Sequence, residues 1–316
     1  MKFDVVKNTK VIFMGTPKIA TYALKALKNR GYEILAVITQ PDRIAGRKKT
    51  FTFSPIKQLA MKLDIKLFQP NNLYEIKNES IKLKPDLFFT CAFGQFIPDS
   101  ILSIPKYGCI NAHGSILPKY RGGAPIHWAL INGEKSTGFT LMKTIKKMDA
   151  GDTYIAYSIT IDEYDNLKTL TSKMEKVVYL LTYNELENVL NGSLKPIKQN
   201  ENEATFGLNI KPEHEKININ ANSQKILNLI KGLYENPCAY LIYDSLKVKV
   251  YTAKVSDNIS IAIPGTIVGI SDKGIEVATL DFNIYLTEIQ LEGKKRTKVK
   301  EFILGNKLFK IGGIFV

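Results

Sequence analysis

One stretch of the chain concentrates side chains that can do chemistry: Gly108-Cys109-Ile110-Asn111-Ala112-His113-Gly114-Ser115-Ile116-Leu117-Pro118-Lys119-Tyr120-Arg121-Gly122-Gly123-Ala124-Pro125-Ile126. A strand ending at Asn111 and His113 turns both side chains to one face, because alternate strand residues share a face. At the carboxyl end of a parallel strand, such groups point into the crevice where α/β sheets take ligands. Farther on, Met148-Asp149-Ala150-Gly151-Asp152 is an acidic turn that can return to the same rim. An amide nitrogen donates hydrogen bonds, and a protonated imidazole donates stronger ones. A nearby carboxylate favours the charged imidazole and can relay a proton. Taken singly, each of these residues also fits an ordinary hydrogen-bonded turn. The chemical reading rests on their assembly.

The elements that must position them follow from hydrophobic patterning. Val11–Met14, Ile34–Ile38, Leu87–Ala92, Cys109–Asn111 and Gly138–Met142 read as buried strands, interleaved with helical stretches such as the one from Pro55 to about Lys62. Continuous apolar strands between helices predict a doubly wound α/β domain with a mostly parallel sheet covered on both faces. The first turn, Gly15-Thr16-Pro17, is not the glycine-rich dinucleotide fingerprint, and no phosphate-binding P-loop is present. Residues 167–190 carry a long helical pattern through Leu170, Met174, Val177, Val178 and Leu181, ended by Asn191-Gly192. Lys195–Thr205 is polar and weakly patterned. Beyond it, a helix near 223–234 leads to short β-rich runs, which suggest a small barrel. The expected division is therefore a first domain over 1–194, a linker over 195–205 and a second domain over 206–316.

The length of 316 residues suits two domains. A hydrophobic content of 45% with 23% charged residues argues against disorder. No apolar run approaches the ~18 residues of a membrane span, and the first residues lack the apolar core of a signal peptide. A cytosolic protein with no membrane partner is expected. Three widely spaced cysteines fit neither a disulfide framework nor a zinc site; Cys91 and Cys109 lie in apolar runs and read as buried thiols. With three histidines, no metal site is expected. The net charge of +14 favours a polyanionic partner. Residues 205–316 hold 15 basic and 11 acidic side chains, a surplus of 4, leaving 10 of the +14 in residues 1–204. A polyanion would thus meet both domains.

The Asn-x-His-x-Ser-x-Leu-Pro-x-x-x-Gly run with its downstream Asp-x-Gly-Asp resembles the signature of the folate-dependent formyltransferases. That group includes enzymes acting on glycinamide ribonucleotide, on amino sugars and on methionyl-tRNA. Similarity to the methionyl-tRNA branch spans nearly the whole chain. It runs through Gly15-Thr16-Pro17, Thr39-Gln40-Pro41-Asp42-Arg43, Ala45-Gly46-Arg47, Ser54-Pro55, Ala92-Phe93-Gly94-Gln95, the central run and Pro264-Gly265-Thr266-Ile267. The resemblance implies a Rossmann-like catalytic domain followed by a barrel of the oligonucleotide-binding (OB-like) kind. It implies Asn111, His113 and Asp149 as catalytic residues. Ser115, Ile116, Leu117 and Pro118, with Phe93 and Gly94, would line the site of 10-formyltetrahydrofolate. The expected reaction moves a formyl group onto the amino group of methionyl initiator tRNA. Direct transfer needs no nucleophilic side chain, so Ser115 is read as a binding residue.

Two regions favour RNA as the acceptor. Pro41–Phe53 is a basic loop in which Arg43, Arg47, Lys48 and Lys49 can meet phosphates. Lys294-Lys295-Arg296-x-Lys298-x-Lys300 lies in the barrel, where basic residues can track a backbone. The chain departs from the family at Asn236-Pro237-Cys238-Ala239, where a tryptophan usually follows Asn-Pro. Charged initiator tRNA and a reduced folate are the expected partners, and a monomer the expected state. An amino-sugar formyltransferase would need a sugar-nucleotide pocket in place of the barrel. A catalytically silent RNA-binding protein would not need Asn111, His113 and Asp149 together. A glycinamide ribonucleotide enzyme would leave the last hundred or so residues without a role.

Overall fold

The computed structural model describes residues 9–45 and 50–316, with only the backbone described at 43–45, 50 and 51. The chain forms two compact units interleaved in sequence: residues 1–125, 136–160 and 171–208 make the first, and 126–135, 161–170 and 209–316 the second.

In the first unit, β1 (Lys10–Gly15), β2 (Glu33–Ile38), the hairpin strands β3 (Arg43–Ala45) and β4 (Thr50–Thr52), β5 (Leu67–Phe68), β6 (Leu87–Cys91), β7 (Cys109–His113), β8 (Ser136–Lys143) and β9 (Thr153–Thr160) alternate with helices. The main sheet has the order β5-β2-β1-β6-β7-β8-β9. It is parallel from β5 to β7, and β8 pairs antiparallel with both β7 and β9. Helix α1 (Lys18–Arg30) buries Ile19, Ala20, Ala23, Leu24, Ala26 and Leu27 along one stripe. It stops where Gly31, at φ 102°, donates its N–H to the carbonyls of Leu27 and Lys28. Helix α2 (Pro55–Lys62) starts where Ser54 accepts from the Lys57 N–H with proline at the first turn.

The strand order reverses at β1, which has β2 on one side and β6 on the other. Neighbouring chains leave the sheet in opposite directions there, opening a crevice beyond the strand tips. Gly15 sits at that tip opposite Cys91. A Cβ on Gly15 would lie 2.8 Å from the Ala20 Cβ and 2.9 Å from the Cys91 carbonyl oxygen, so the crevice floor has no room for a side chain. Strand β9 was not legible as a strand: its residues alternate between half-buried and exposed, the mark of an antiparallel edge.

The second unit carries a six-stranded antiparallel sheet of β10 (Tyr240–Tyr243), β11 (Leu246–Ile259), β12 (Ile267–Ser271), β13 (Gly274–Val277), β14 (Phe282–Leu291) and the short β15 (Thr297–Lys298). Its path β10-β11-β14-β13-β12 leaves β10 and β12 as edges. The last residues close it. Gly312 and Phe315 donate to the Ile267 and Gly265 carbonyls, while Val316 exchanges hydrogen bonds with Ile242 of β10. Joining both edges makes a barrel and removes exposed strand edges. Leu241, Val250, Ile267, Ile275, Leu286 and Phe315 fill its core.

Candidate active site

Asn111 and His113 end β7, and their side chains emerge on one face of the sheet tip. Thr90, opposite Asn111 on β6, donates its hydroxyl to the Asn111 Oδ1 at 2.9 Å. This leaves the amide nitrogen facing outward, 3.5 Å from the Asp149 Oδ1. A carboxylate only accepts, so the same orientation follows from either neighbour.

His113 is 5% exposed. Its Nε2 lies 2.9 Å from the Tyr120 carbonyl oxygen. A carbonyl cannot donate, so the Nε2 carries a proton and the Nδ1 is the nitrogen turned to the site. The Nδ1 stands 3.7 Å from the Asp149 Oδ2. The structure thus brings Asn111, His113 and Asp149 together across 38 residues of chain, with the carboxylate between amide and imidazole.

Asp149 occupies a left-handed backbone conformation, φ 46°, which aspartate tolerates better than most residues. The Gly122 N–H donates to its Oδ2 at 2.9 Å. Two residues on, a Cβ at Gly151 would stand 1.9 Å from the Lys143 carbonyl oxygen, so this turn passes the end of β8 only with glycine there. Gln199 donates to the carbonyl oxygens of Asp149 and Gly151. Its own side-chain oxygen accepts from the fully buried guanidinium of Arg121. Arg121 also pairs with Glu201, and together with Lys147 it holds the Glu201 carboxyl down to about 2.

The residues expected along a folate pocket fall into two groups. Ile116, Leu117 and Pro118 are half-buried apolar side chains just past His113. Ser115 is almost fully buried, and its hydroxyl donates to the Lys119 carbonyl, so it shapes the turn. Thr140 of β8 ties the same turn to the sheet by donating to the Ser115 carbonyl and accepting from the Leu117 N–H. Phe93 is 5% exposed and packs with Ile12, Met14, Ile38 and Phe88 in the core. Its carbonyl accepts from the Thr16 hydroxyl and the Gln40 amide. Phe93 thus keeps its ring in the core, and Gly94, at φ 81°, adds only backbone.

Arg43 lies in β3 of the hairpin β3–β4; Arg47, Lys48 and Lys49 lie outside the described residues. The hairpin's entry is anchored: the Asp42 carboxylate accepts from Lys57 and Gln69, and these bonds hold its carboxyl below the usual aspartate range. From the sequence, Gly122 closes the signature run and Thr90 reads only as part of a strand, neither with an assigned role, while Gln199 and Glu201 are not singled out. Arg121 lay inside the motif without a role. The local signal for Gln199 is nil, because a polar stretch without periodicity says nothing about where it packs.

Burial pushes the thiols of Cys91 and Cys109 up to about 12, so neither supplies a nucleophile near neutral pH. Among the described residues, no three His, Cys, Asp or Glu side chains are grouped to hold a metal ion. Also among them, no helix is long and apolar enough to cross a membrane.

A family model described as formyl transferase matches residues 7–182, and one for the formyl transferase C-terminal domain matches residues 209–307. The chain belongs to the formyl transferase family. Its relatives include a methionyl-tRNA formyltransferase of Malacoplasma penetrans, 53% identical over 98% of each chain. Another from Mycoplasma mycoides is 46% identical over 95% of each. Among solved structures, an N-formyltransferase from Helicobacter canadensis in complex with folinic acid and dTDP-3-aminofucose superposes with a TM-score of 0.67. It is 20% identical and covers 87% of this chain and 98% of that one, a likeness of fold. The family's fold, with a mostly parallel first domain and an antiparallel second, is the one observed.

Proposed function

We propose that this formyl transferase moves the formyl group of 10-formyltetrahydrofolate onto the free amino group of methionyl initiator tRNA, in the cytosol and as a monomer. The observation that carries this reading is the meeting of Asn111, His113 and Asp149 at the sheet tip, in a chain akin over its length to methionyl-tRNA formyltransferases.

The reaction joins the amino nitrogen to the formyl carbon and breaks the bond from that carbon to the folate nitrogen. As the amine adds, the formyl oxygen gains negative charge, and the Asn111 amide nitrogen, with one N–H toward Asp149, has a second N–H to donate to it. The amine must also lose a proton. With Nε2–H held by the Tyr120 carbonyl, the His113 Nδ1 can accept that proton. The resulting imidazolium is favoured by the Asp149 carboxylate 3.7 Å away. The same proton can then pass to the departing folate nitrogen, which balances the exchange without a covalent enzyme intermediate. Ile116, Leu117 and Pro118 and the backbone at 93–94 supply the apolar and polar walls that the folate ring system needs.

Arg43, Arg47, Lys48 and Lys49 are proposed to meet the acceptor end of the tRNA, and the barrel to meet its backbone. In this reading, residues 1–194 are the catalytic part and 206–316 the RNA-binding part, and the connection over 195–205 also packs on the first unit through Gln199 and Glu201. The test incubates the protein with 10-formyltetrahydrofolate and either charged initiator or charged elongator tRNA. Formylation of the initiator species alone is expected. Formylation of a nucleotide-linked amino sugar but of neither tRNA would replace this reading.

A further inference from the structure

We infer that Arg121 and Gln199 are positioning residues that hold Asp149 at the distance from His113 and Asn111 on which turnover depends. The inference rests on the catalytic reading of Asp149 and extends it to two side chains that touch no reacting atom.

The bond directions leave little freedom. The Gln199 side-chain oxygen accepts from the Arg121 Nε at 3.0 Å and Nη2 at 2.9 Å. A guanidinium only donates, so the Gln199 nitrogen is forced to the opposite side. There it donates to the carbonyl oxygens of Asp149 at 2.8 Å and Gly151 at 2.7 Å. Those two carbonyls lie at and just past Asp149, which sits at φ 46° in the turn that Ala150 closes by donating to the Lys147 carbonyl. A non-glycine residue in the left-handed region is steadied by its surroundings, and the two bonds from one amide hold the main chain at Asp149 and where it leaves the turn.

Arg121 reaches Asp149 by a second route. Its N–H donates to the Thr205 carbonyl and its carbonyl accepts from the Gly207 N–H, both at 2.8 Å, which fixes the backbone leading into Gly122. The Gly122 N–H then donates to the Asp149 Oδ2. Residue 121 therefore governs the carboxylate through its own main chain, and its guanidinium governs the main chain of Asp149 through Gln199. The Glu201 carboxylate, also paired with Lys147, neutralises the arginine where water does not reach it. Without that charge, an arginine at 0% exposure would be costly to bury.

Gln199→Leu removes both donations to the turn. Gln199→Glu keeps a partner for Arg121 but sets an acceptor against two carbonyl oxygens. Both variants are expected to lose about 10- to 100-fold in kcat, the scale for a misplaced catalytic group. KM for 10-formyltetrahydrofolate and for charged tRNA should stay within about threefold. In an Asp149→Asn background, Gln199→Leu should cost less than about twofold more, since its effect passes through the carboxylate. Circular dichroism and thermal melts check that each variant is folded. Should Gln199→Leu not fold, Gln199→Glu, with Arg121 still neutralised, decides. Full activity of Asp149→Asn would overturn the catalytic reading itself. A damaged Asp149→Asn beside near-normal Gln199 variants, or full additivity in the double variant, would overturn this inference alone.

Discussion

The sheet tip of the first unit and the surface of the barrel handle polar groups in opposite ways. At the tip, each functional atom has a neighbour that fixes its direction: Thr90 for the Asn111 oxygen, the Tyr120 carbonyl for the His113 Nε2, the Gly122 N–H for Asp149. On the barrel, Lys294, Lys295, Lys298 and Lys300 are exposed. The one arginine of that run is different. Arg296 donates to Glu235, Glu288 and Tyr234 and lies 4.2 Å over the Tyr251 ring. Its charge is engaged within the barrel, and the partners hold it more firmly protonated than usual. Bond-making at one carbonyl carbon requires direction, whereas attraction of a phosphate backbone requires only charge within a Debye length. Under the proposed function, the difference between the two regions follows from that.

The contrast is most exposed to failure at His113. His113→Ala should lower turnover by about 10²–10⁴, the usual loss when a positioned proton-transfer group is removed, while circular dichroism stays unchanged. A near-normal rate would end the view that direction matters at the tip. Next in size, Arg296→Met should lower the thermal midpoint, because Glu288 and Glu235 lose a charged partner; about 1–3 kcal/mol is the scale of a bond to a charged group. If that variant instead weakens tRNA binding with no change in the melt, Arg296 belongs with the lysines after all.

Replacing Lys294, Lys295 and Lys298 together with glutamine should act several-fold on the KM for tRNA. The slope of affinity against salt should fall by about one for each phosphate that a lysine no longer neutralises. A salt response that is flat in the parent protein would remove the barrel as an RNA surface. The smallest effect concerns Glu201, whose carboxyl is lowered by Arg121 and Lys147 to about 2 from an ordinary 4.5. A depressed carboxyl adds stability that is fully present above its unfolded value and lost as pH falls through its folded one. The parent should therefore lose this small, solvent-screened contribution between about pH 4.5 and 2. Glu201→Gln should flatten that part of the stability profile in melts taken across the range.

Much of the first unit was legible because its strands are short, continuous apolar runs that only a sheet covered on both faces can use. Val11–Met14 and Leu87–Cys91 became fully buried strands, and Pro55–Lys62 a helix with a serine cap. The antiparallel edge strand β9 was less visible, since its alternating exposure competes with a loop reading. The barrel strands were visible one by one, yet their closure by residues 312–316 depends on hydrogen bonds between backbone atoms, which carry no composition signal. Phe93 shows a related ambiguity. An aromatic residue at a strand tip fits a ligand wall and a core equally well in sequence, and the structure packs its ring in the core.

By itself, the sequence determined which groups were available for chemistry and that two of them share a strand face, because side-chain alternation is a local property of the backbone. It also determined the family, since ordered motifs survive over the whole chain. Tertiary structure alone decided which imidazole nitrogen faces the site, which way the Asn111 amide points, and that Arg121 and Gln199 stand behind Asp149. Those outcomes hang on hydrogen bonds between residues 7 to 78 positions apart. Their geometry exists only once the sheet has brought the strand tips together.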